Sequence, residues 1–150
     1  MKKITILVML VVVCLAITNI SFGKYHHNSR AHHLIDASNN ETSTQFITIE
    51  ELKLKMSKKE SMVILDLRGG DYDSSSTKIK GATRIVPSEL SSHLKDLPKD
   101  KMIVTYCSCP TDGGAISAAQ MLAQNGFKQV YVLKGGWAGW NNASGQVETK

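Results

Sequence analysis

Short, almost uninterrupted apolar runs separated by stretches of helical spacing confine this chain to very few architectures. Met62-Val63-Ile64-Leu65, Ala82 to Val86, Met102 to Tyr106 and Val130-Tyr131-Val132-Leu133 are the runs. They lack the alternation of a half-solvated sheet, so they predict strands buried on both faces. Between them lie helical patterns. Thr48-Ile49-Glu50-Glu51 has the form of a capping box ahead of Leu52 and Leu54. Pro87-Ser88-Glu89 opens a segment carrying Leu90, Leu94 and Leu97, and Ala115 to Gln124 carries Ala119, Met121, Leu122 and Ala123 before Gly126. Gly135-Gly136-Trp137 then turns into a short helix through Trp140. The alternation predicts an α/β fold: a single domain with a central parallel sheet and helices on both faces. Reactive groups in such sheets gather at the C-terminal strand ends. Asp66 stands at one of these ends and Cys107 at another.

The N-terminal residues are not counted in that domain. Lys2 and Lys3 precede an apolar run from Ile4 to Ile20, and Ser21 and Gly23 flank Phe22 as the small residues of a cleavage site. This is the layout of a signal peptide over residues 1–23. Cleavage would release a periplasmic or secreted protein. Retention of residues 4–20, close to the ~20 residues that span a bilayer, would leave it membrane-anchored and facing outward. Val13 denies Cys14 the small neighbour that a lipoprotein site requires. Residues 24–45, rich in His, Ser and Asn, read as a flexible leader. Its pairs His26-His27 and His32-His33 could bind a transition metal, but a solvated segment accounts for them more simply, and no metal is expected. The ordered domain is expected over residues 46–142, with a polar tail at 143–150. The 42% apolar content is that of a globular protein, and a net charge of +5, which includes Lys2 and Lys3, is too mild and scattered to imply nucleic acid.

The strand ending at Tyr106 runs into Cys107-Ser108-Cys109-Pro110-Thr111-Asp112-Gly113-Gly114-Ala115 and then into a helix. A thiol placed here meets loop amides and the positive end of a helix dipole, and both favour thiolate over thiol. Gly113 and Gly114 let the backbone curl so that successive N–H groups converge. In an oxidising compartment two cysteines ordinarily suggest a disulfide. One spanning so few residues restrains little of the chain, so Cys107 and Cys109 read instead as a redox or nucleophilic pair.

Four segments, in order over about residues 46–141, resemble the rhodanese-like (sulfurtransferase) family. Ile64-Leu65-Asp66-Leu67-Arg68 is similar to its I-D-V-R strand exit, and Ile79-Lys80-Gly81-Ala82 to its H-I-P-G-A. Tyr106-Cys107 resembles the entry to its active loop, and Leu133-Lys134-Gly135-Gly136-Trp137 with Trp140 its L-x-G-G-W-x-x-W. The departures are Thr77-Lys78 in place of Gly-His, a loop about two residues longer, and Asp112 with no arginine in the loop. Counting forward from the strand places the nucleophile at Cys107; counting back from Gly126-Phe127 places it at Cys109. Cys107 is favoured, because a strand end fixes position while loops absorb insertions. The Tyr-Cys-Ser-Cys-Pro wording also resembles a rhodanese subset whose first cysteine is the nucleophile.

The resemblance implies a cofactor-free sulfurtransferase that carries sulfane sulfur as a persulfide on Cys107. The donor would be thiosulfate or a persulfide or polysulfide, and the acceptor a thiol or cyanide, with a protein thiol as a further candidate. Ser108, Pro110, Thr111, Asp112, Gly113, Gly114 and Ala115 would form the substrate-binding cradle. Asp66 would bind loop amides, Arg68 would pair with a carboxylate, and Trp137 would pack beside the loop. Cys109 either attacks the persulfide or is a spare thiol. Without the arginine the site loses its anion clamp, and Asp112 repels a dianion unless it caps the helix or points to solvent. Two other readings stay open: a non-catalytic module that binds a partner or senses redox state, and a thiol–disulfide exchanger using Cys107 and Cys109.

Overall fold

The computed structural model describes residues 43–150, so the apolar run, the expected cleavage site and the leader histidines lie outside the described residues. The elements begin with β1 (Gln45–Ile47), α1 (Ile49–Ser57), β2 (Met62–Asp66) and a single helical turn, α2 (Asp71–Ser74). Then come β3 (Thr77–Ile79), β4 (Ala82–Arg84) and α3 (Leu90–His93), which lies between 3-10 turns at Pro87–Glu89 and Leu94–Asp96. The chain continues through β5 (Met102–Tyr106), α4 (Gly113–Gln124), β6 (Val130–Leu133), α5 (Gly136–Asn142) and β7 (Val147–Thr149).

Five strands form one parallel sheet in the order β1-β6-β5-β2-β4, flanked by helices. Adjacent residues of each central strand feed opposite cores. Leu65, Ile103 and Val132 pack on one face with Leu90 of α3 and Ala119 and Leu122 of α4. Ile64, Val104 and Leu133 pack on the other with Leu52 of α1 and Trp140 of α5. Two covered faces leave no position for a polar residue, which is why these strands read as unbroken apolar runs. Thr105 is the buried polar exception in β5, and its Oγ1 donates to Ala115 O at 3.0 Å. The capping box of α1 is formed as expected: Glu51 N donates to Thr48 Oγ1 at 3.2 Å and Thr48 N to Glu51 Oε2 at 2.8 Å. Hydrogen bonds to the Glu51 carboxyl, foremost from the Thr48 amide and then from the Thr48 hydroxyl at 2.9 Å, hold it below its usual value.

Three segments differ from expectation. The stretch with Leu90, Leu94 and Leu97 is a four-residue helix between 3-10 turns. Ser92 Oγ donates back to Glu89 O at 2.7 Å, and Leu97 is driven to extended backbone ahead of Pro98. Gln45, read as the end of the leader, lies in β1 at the sheet edge, and Gln45 to Ile47 pair with Tyr131 to Leu133 of β6. Residues 143–150, read as a polar tail, carry β7, which pairs antiparallel with β3 as Thr77↔Thr149, Lys78↔Glu148 and Ile79↔Val147. An ion pair between Lys78 and Glu148 at 3.3 Å and a hydrogen bond from Trp140 Nε1 to Gln146 O at 3.1 Å fasten this ribbon.

Candidate functional site

The site forms where β5, the middle strand, delivers Cys107 to the first turn of α4. Trp137 N donates to Cys107 O at 2.9 Å, so the turn into α5 pins the start of the loop. The loop then folds back: Asp112 N donates to Cys109 O at 3.0 Å, and Asp112 itself takes the left-handed conformation at φ 55°. Its carbonyl starts the helix by accepting from Ile116 N at 2.9 Å. Pro110, Thr111 and Gly114 are exposed and form the mouth of the loop, while Ser108 and Gly113 are half-buried and Ala115 is buried in the core.

Cys107 and Cys109 are joined as a disulfide, with their Cα atoms 5.7 Å apart. Both sulfurs rest over the backbone of Gly114, where an added Cβ would lie 3.5 Å from Cys109 Sγ and 3.7 Å from Cys107 Sγ. The amide of Gly114 donates to Cys109 Sγ at 3.4 Å. Of the expected convergence of N–H groups, this one amide reaches a sulfur among the described residues, and in the disulfide state it is directed at the second cysteine. Cys107 is 2% exposed and Cys109 half-buried. A ring enclosing only Ser108 restrains little of the chain, so the bond bears on chemistry more than on stability.

Asp112 neither caps α4 nor points to solvent. It is 8% exposed, and Oδ2 accepts from Gly135 N at 2.9 Å while Oδ1 has no hydrogen-bond partner among the described residues. The acidic side chain thus ties the active loop to the Gly135-Gly136 turn. Gly136 has φ 49°, and a Cβ there would overlap the Cys107 carbonyl oxygen and lie 3.0 Å from Asp112 Oδ1.

Beneath the loop, Asp66 and Arg68 are fully buried and paired with each other. Arg68 Nη2 reaches Asp66 Oδ2 at 2.6 Å, Nε reaches Oδ1 at 3.0 Å, and Nη2 also donates to Thr77 O at 3.0 Å. Arg68 therefore pairs with a carboxylate as read from the sequence. Asp66 accepts from one loop amide, that of Arg68 just beyond the strand, at 3.1 Å, and its other partners are side chains. Tyr106 OH donates to Asp66 Oδ2 at 2.5 Å. Burial, reinforced by that hydrogen bond, pushes the phenol well above its usual value and keeps it neutral. Burial works against the charge on Arg68, but the hydrogen bonds and charge of Asp66 outweigh it and raise the guanidinium above its ordinary value. The guanidinium carbon lies 4.0 Å from the ring centre of half-buried Trp137 and 5.0 Å from that of Tyr72. Trp137 thus packs between the loop it pins and the buried ion pair.

Tyr106, Gly136 and Tyr72 escaped the sequence reading as site residues. A signal for Tyr106 existed, because a tyrosine at a buried strand end needs a partner for its hydroxyl. Its register partner in β2 is Asp66.

The rhodanese-like domain family matches this chain over residues 48–143. The chain belongs to the rhodanese-like family. Among curated relatives, the thiosulfate sulfurtransferase GlpE of Shewanella oneidensis is 27% identical over 103 residues, covering 69% of this chain and 98% of that protein. Its namesake from Coxiella burnetii is 33% identical over 84 residues, covering 55% of this chain and 75% of that protein. Among solved structures, the BH2092 protein of Bacillus halodurans is similar with a TM-score of 0.63 at 31% identity, covering 71% of this chain and 77% of that one. A rhodanese-related protein of Thermoplasma volcanium shares the fold at a TM-score of 0.61 and 22% identity, covering 71% of this chain and 99% of that one. Membership in this rhodanese-like family supports a sulfurtransferase-type role, with a sulfur donor and a thiol acceptor as the general substrate classes.

Proposed function

We propose that this rhodanese-like protein carries sulfane sulfur as a persulfide on Cys107, taken from a persulfide or polysulfide donor in preference to thiosulfate. The observation that carries the reading is the placement of Cys107: it leaves the central strand at the first turn of α4, with its carbonyl held by Trp137. With the disulfide reduced, the Cys107 thiolate attacks the outer sulfur of a donor persulfide. The donor's sulfur–sulfur bond breaks and its thiolate leaves, so the cysteine bears the transferred sulfur. An acceptor thiolate then attacks that outer sulfur and restores Cys107. The layout of residues 2–23 supports an exported protein.

The donor preference follows from charge. Arg68 is committed to Asp66, and the loop holds the acidic Asp112 with no basic side chain between Cys107 and Gln124. A thiosulfate dianion meets repulsion there without a bidentate clamp. Sulfide release in the presence of a thiol should therefore be faster with a low-molecular-weight persulfide than with thiosulfate. Asp112→Asn is expected to raise the thiosulfate rate about tenfold, equivalent to about 1.4 kcal/mol of repulsion removed, and more than it raises the persulfide rate. A wild-type chain that used thiosulfate as well as persulfide would contradict the preference. A folded chain that turned over neither donor would contradict transfer itself. The disulfide also favours a second reading, thiol–disulfide exchange, which needs both cysteines and no sulfur donor.

A further inference from the structure

Cys109 is within bonding reach of Cys107 and is the sulfur that receives the Gly114 amide. A hydrogen bond from a helix N-terminal amide stabilises thiolate on the atom it contacts. Cys107 is 2% exposed in this disulfide form, with Cys109 the group nearest to its sulfur. Cys109 needs no approach, because Ser108 alone separates it from Cys107. No group intervenes between the two sulfurs, since they are bonded.

From these contacts we infer that Cys109 discharges the Cys107 persulfide within the loop, which makes the protein a sulfide-releasing persulfide reductase. The inference rests on the sulfurtransferase reading and assigns the fate of the carried sulfur. In the step, the Cys109 thiolate attacks Cys107 Sγ of the protonated persulfide. A bond forms between the two cysteine sulfurs, and the bond from Cys107 Sγ to the outer sulfur breaks. The outer sulfur leaves with the electron pair and its proton as hydrosulfide. That sulfur is reduced from the sulfane to the sulfide level, and the two cysteines are oxidised together by two electrons. The product is the disulfide that the structure contains. A dithiol reductant, itself oxidised to a disulfide, returns the loop to two thiols for the next round. Gly114 is placed to serve both halves of the cycle, because its amide donates to Cys109 Sγ in the disulfide that the first half forms and the second consumes.

The test is a single turnover in which the full chain is reduced, freed of reductant and mixed with one equivalent of a low-molecular-weight persulfide. Wild type is expected to release about one equivalent of sulfide with no added thiol and to lose about 2 Da as the disulfide closes. Cys109→Ser should instead stop at an adduct of about 32 Da, one sulfur atom, on the loop peptide and release less than about a tenth of that sulfide. A wild-type chain that kept the adduct and released no sulfide would overturn the inference while leaving sulfur transfer intact. Sulfide release from Cys107→Ser at the wild-type yield would overturn it as well. Failure of Cys109→Ser, folded by circular dichroism, to take up any sulfur would overturn the underlying transfer reading and the inference with it.

Discussion

Arg68→Ala is expected to lower folding stability by about 3–5 kcal/mol, the usual cost of removing one partner from a buried ion pair. The expectation follows from what the arginine leaves behind. Asp66 is fully buried, and without Nε and Nη2 its remaining side-chain donor is the Tyr106 hydroxyl. A phenol has no cationic form, so that hydroxyl cannot replace the lost positive charge. The guanidinium also fills the space beside the Trp137 ring, 4.0 Å from its centre, and truncation removes that packing. Against a total stability of about 5–15 kcal/mol for a domain of this kind, that loss is a large fraction of what holds the domain folded. Urea unfolding followed by circular dichroism measures the loss. The double variant Asp66→Asn/Arg68→Met should lose less than Arg68→Ala, because it removes the uncompensated charge together with its partner. A cost below about 1 kcal/mol for Arg68→Ala would show that the pair is not the support beneath the loop.

Gly136→Ala is expected to damage stability and chemistry together. The residue sits at φ 49°, where a side chain is strained, and a Cβ there would overlap the Cys107 carbonyl oxygen. Backbone strain of about 1–3 kcal/mol adds to the displacement of either the turn or the loop. The group that must give is Cys107 O, which accepts the Trp137 amide at 2.9 Å. A misplacement of about 1 Å at a reacting group can cost on the order of a hundredfold in rate, so sulfide release should fall by about that factor. Gly70→Ala is the matching control, since nothing lies within 4 Å of an added Cβ there. Equal activity in the two variants would show that the Gly135-Gly136 turn does not position Cys107.

The sheet was legible because its chemistry is written in single residues. Ile103 and Val104 pack on opposite faces of β5, so neither tolerates a polar side chain, and the same holds for Ile64 with Leu65 and Val132 with Leu133. The capping box before α1 and the pairing capacity of Arg68 were legible for the same reason, since each needs partners close in sequence. The ribbon of β3 and β7 was not. Its strands are three residues long and carry Thr, Lys and Glu among their side chains, and their pairing joins Ile79 to Val147 across most of the domain. The loop shows both cases. The placement of Cys107 at a strand end follows from counting along the chain, whereas the fate of Asp112 does not. Its side chain turns to Gly135 N because a left-handed backbone at 112 carries it away from the helix end it precedes. The amide donor to Cys109 depends likewise on how tightly Ser108 to Thr111 fold back over Gly114, a length that no local pattern encodes.

Rapid-quench alkylation within the first turnover, followed by peptide mass mapping, tests most directly where the sulfur is carried. For the reduced wild-type chain mixed with a low-molecular-weight persulfide, the account predicts one added sulfur, about 32 Da, on Cys107 before any disulfide appears. An adduct on Cys109 with Cys107 unmodified, or neither an adduct nor a disulfide, would contradict it.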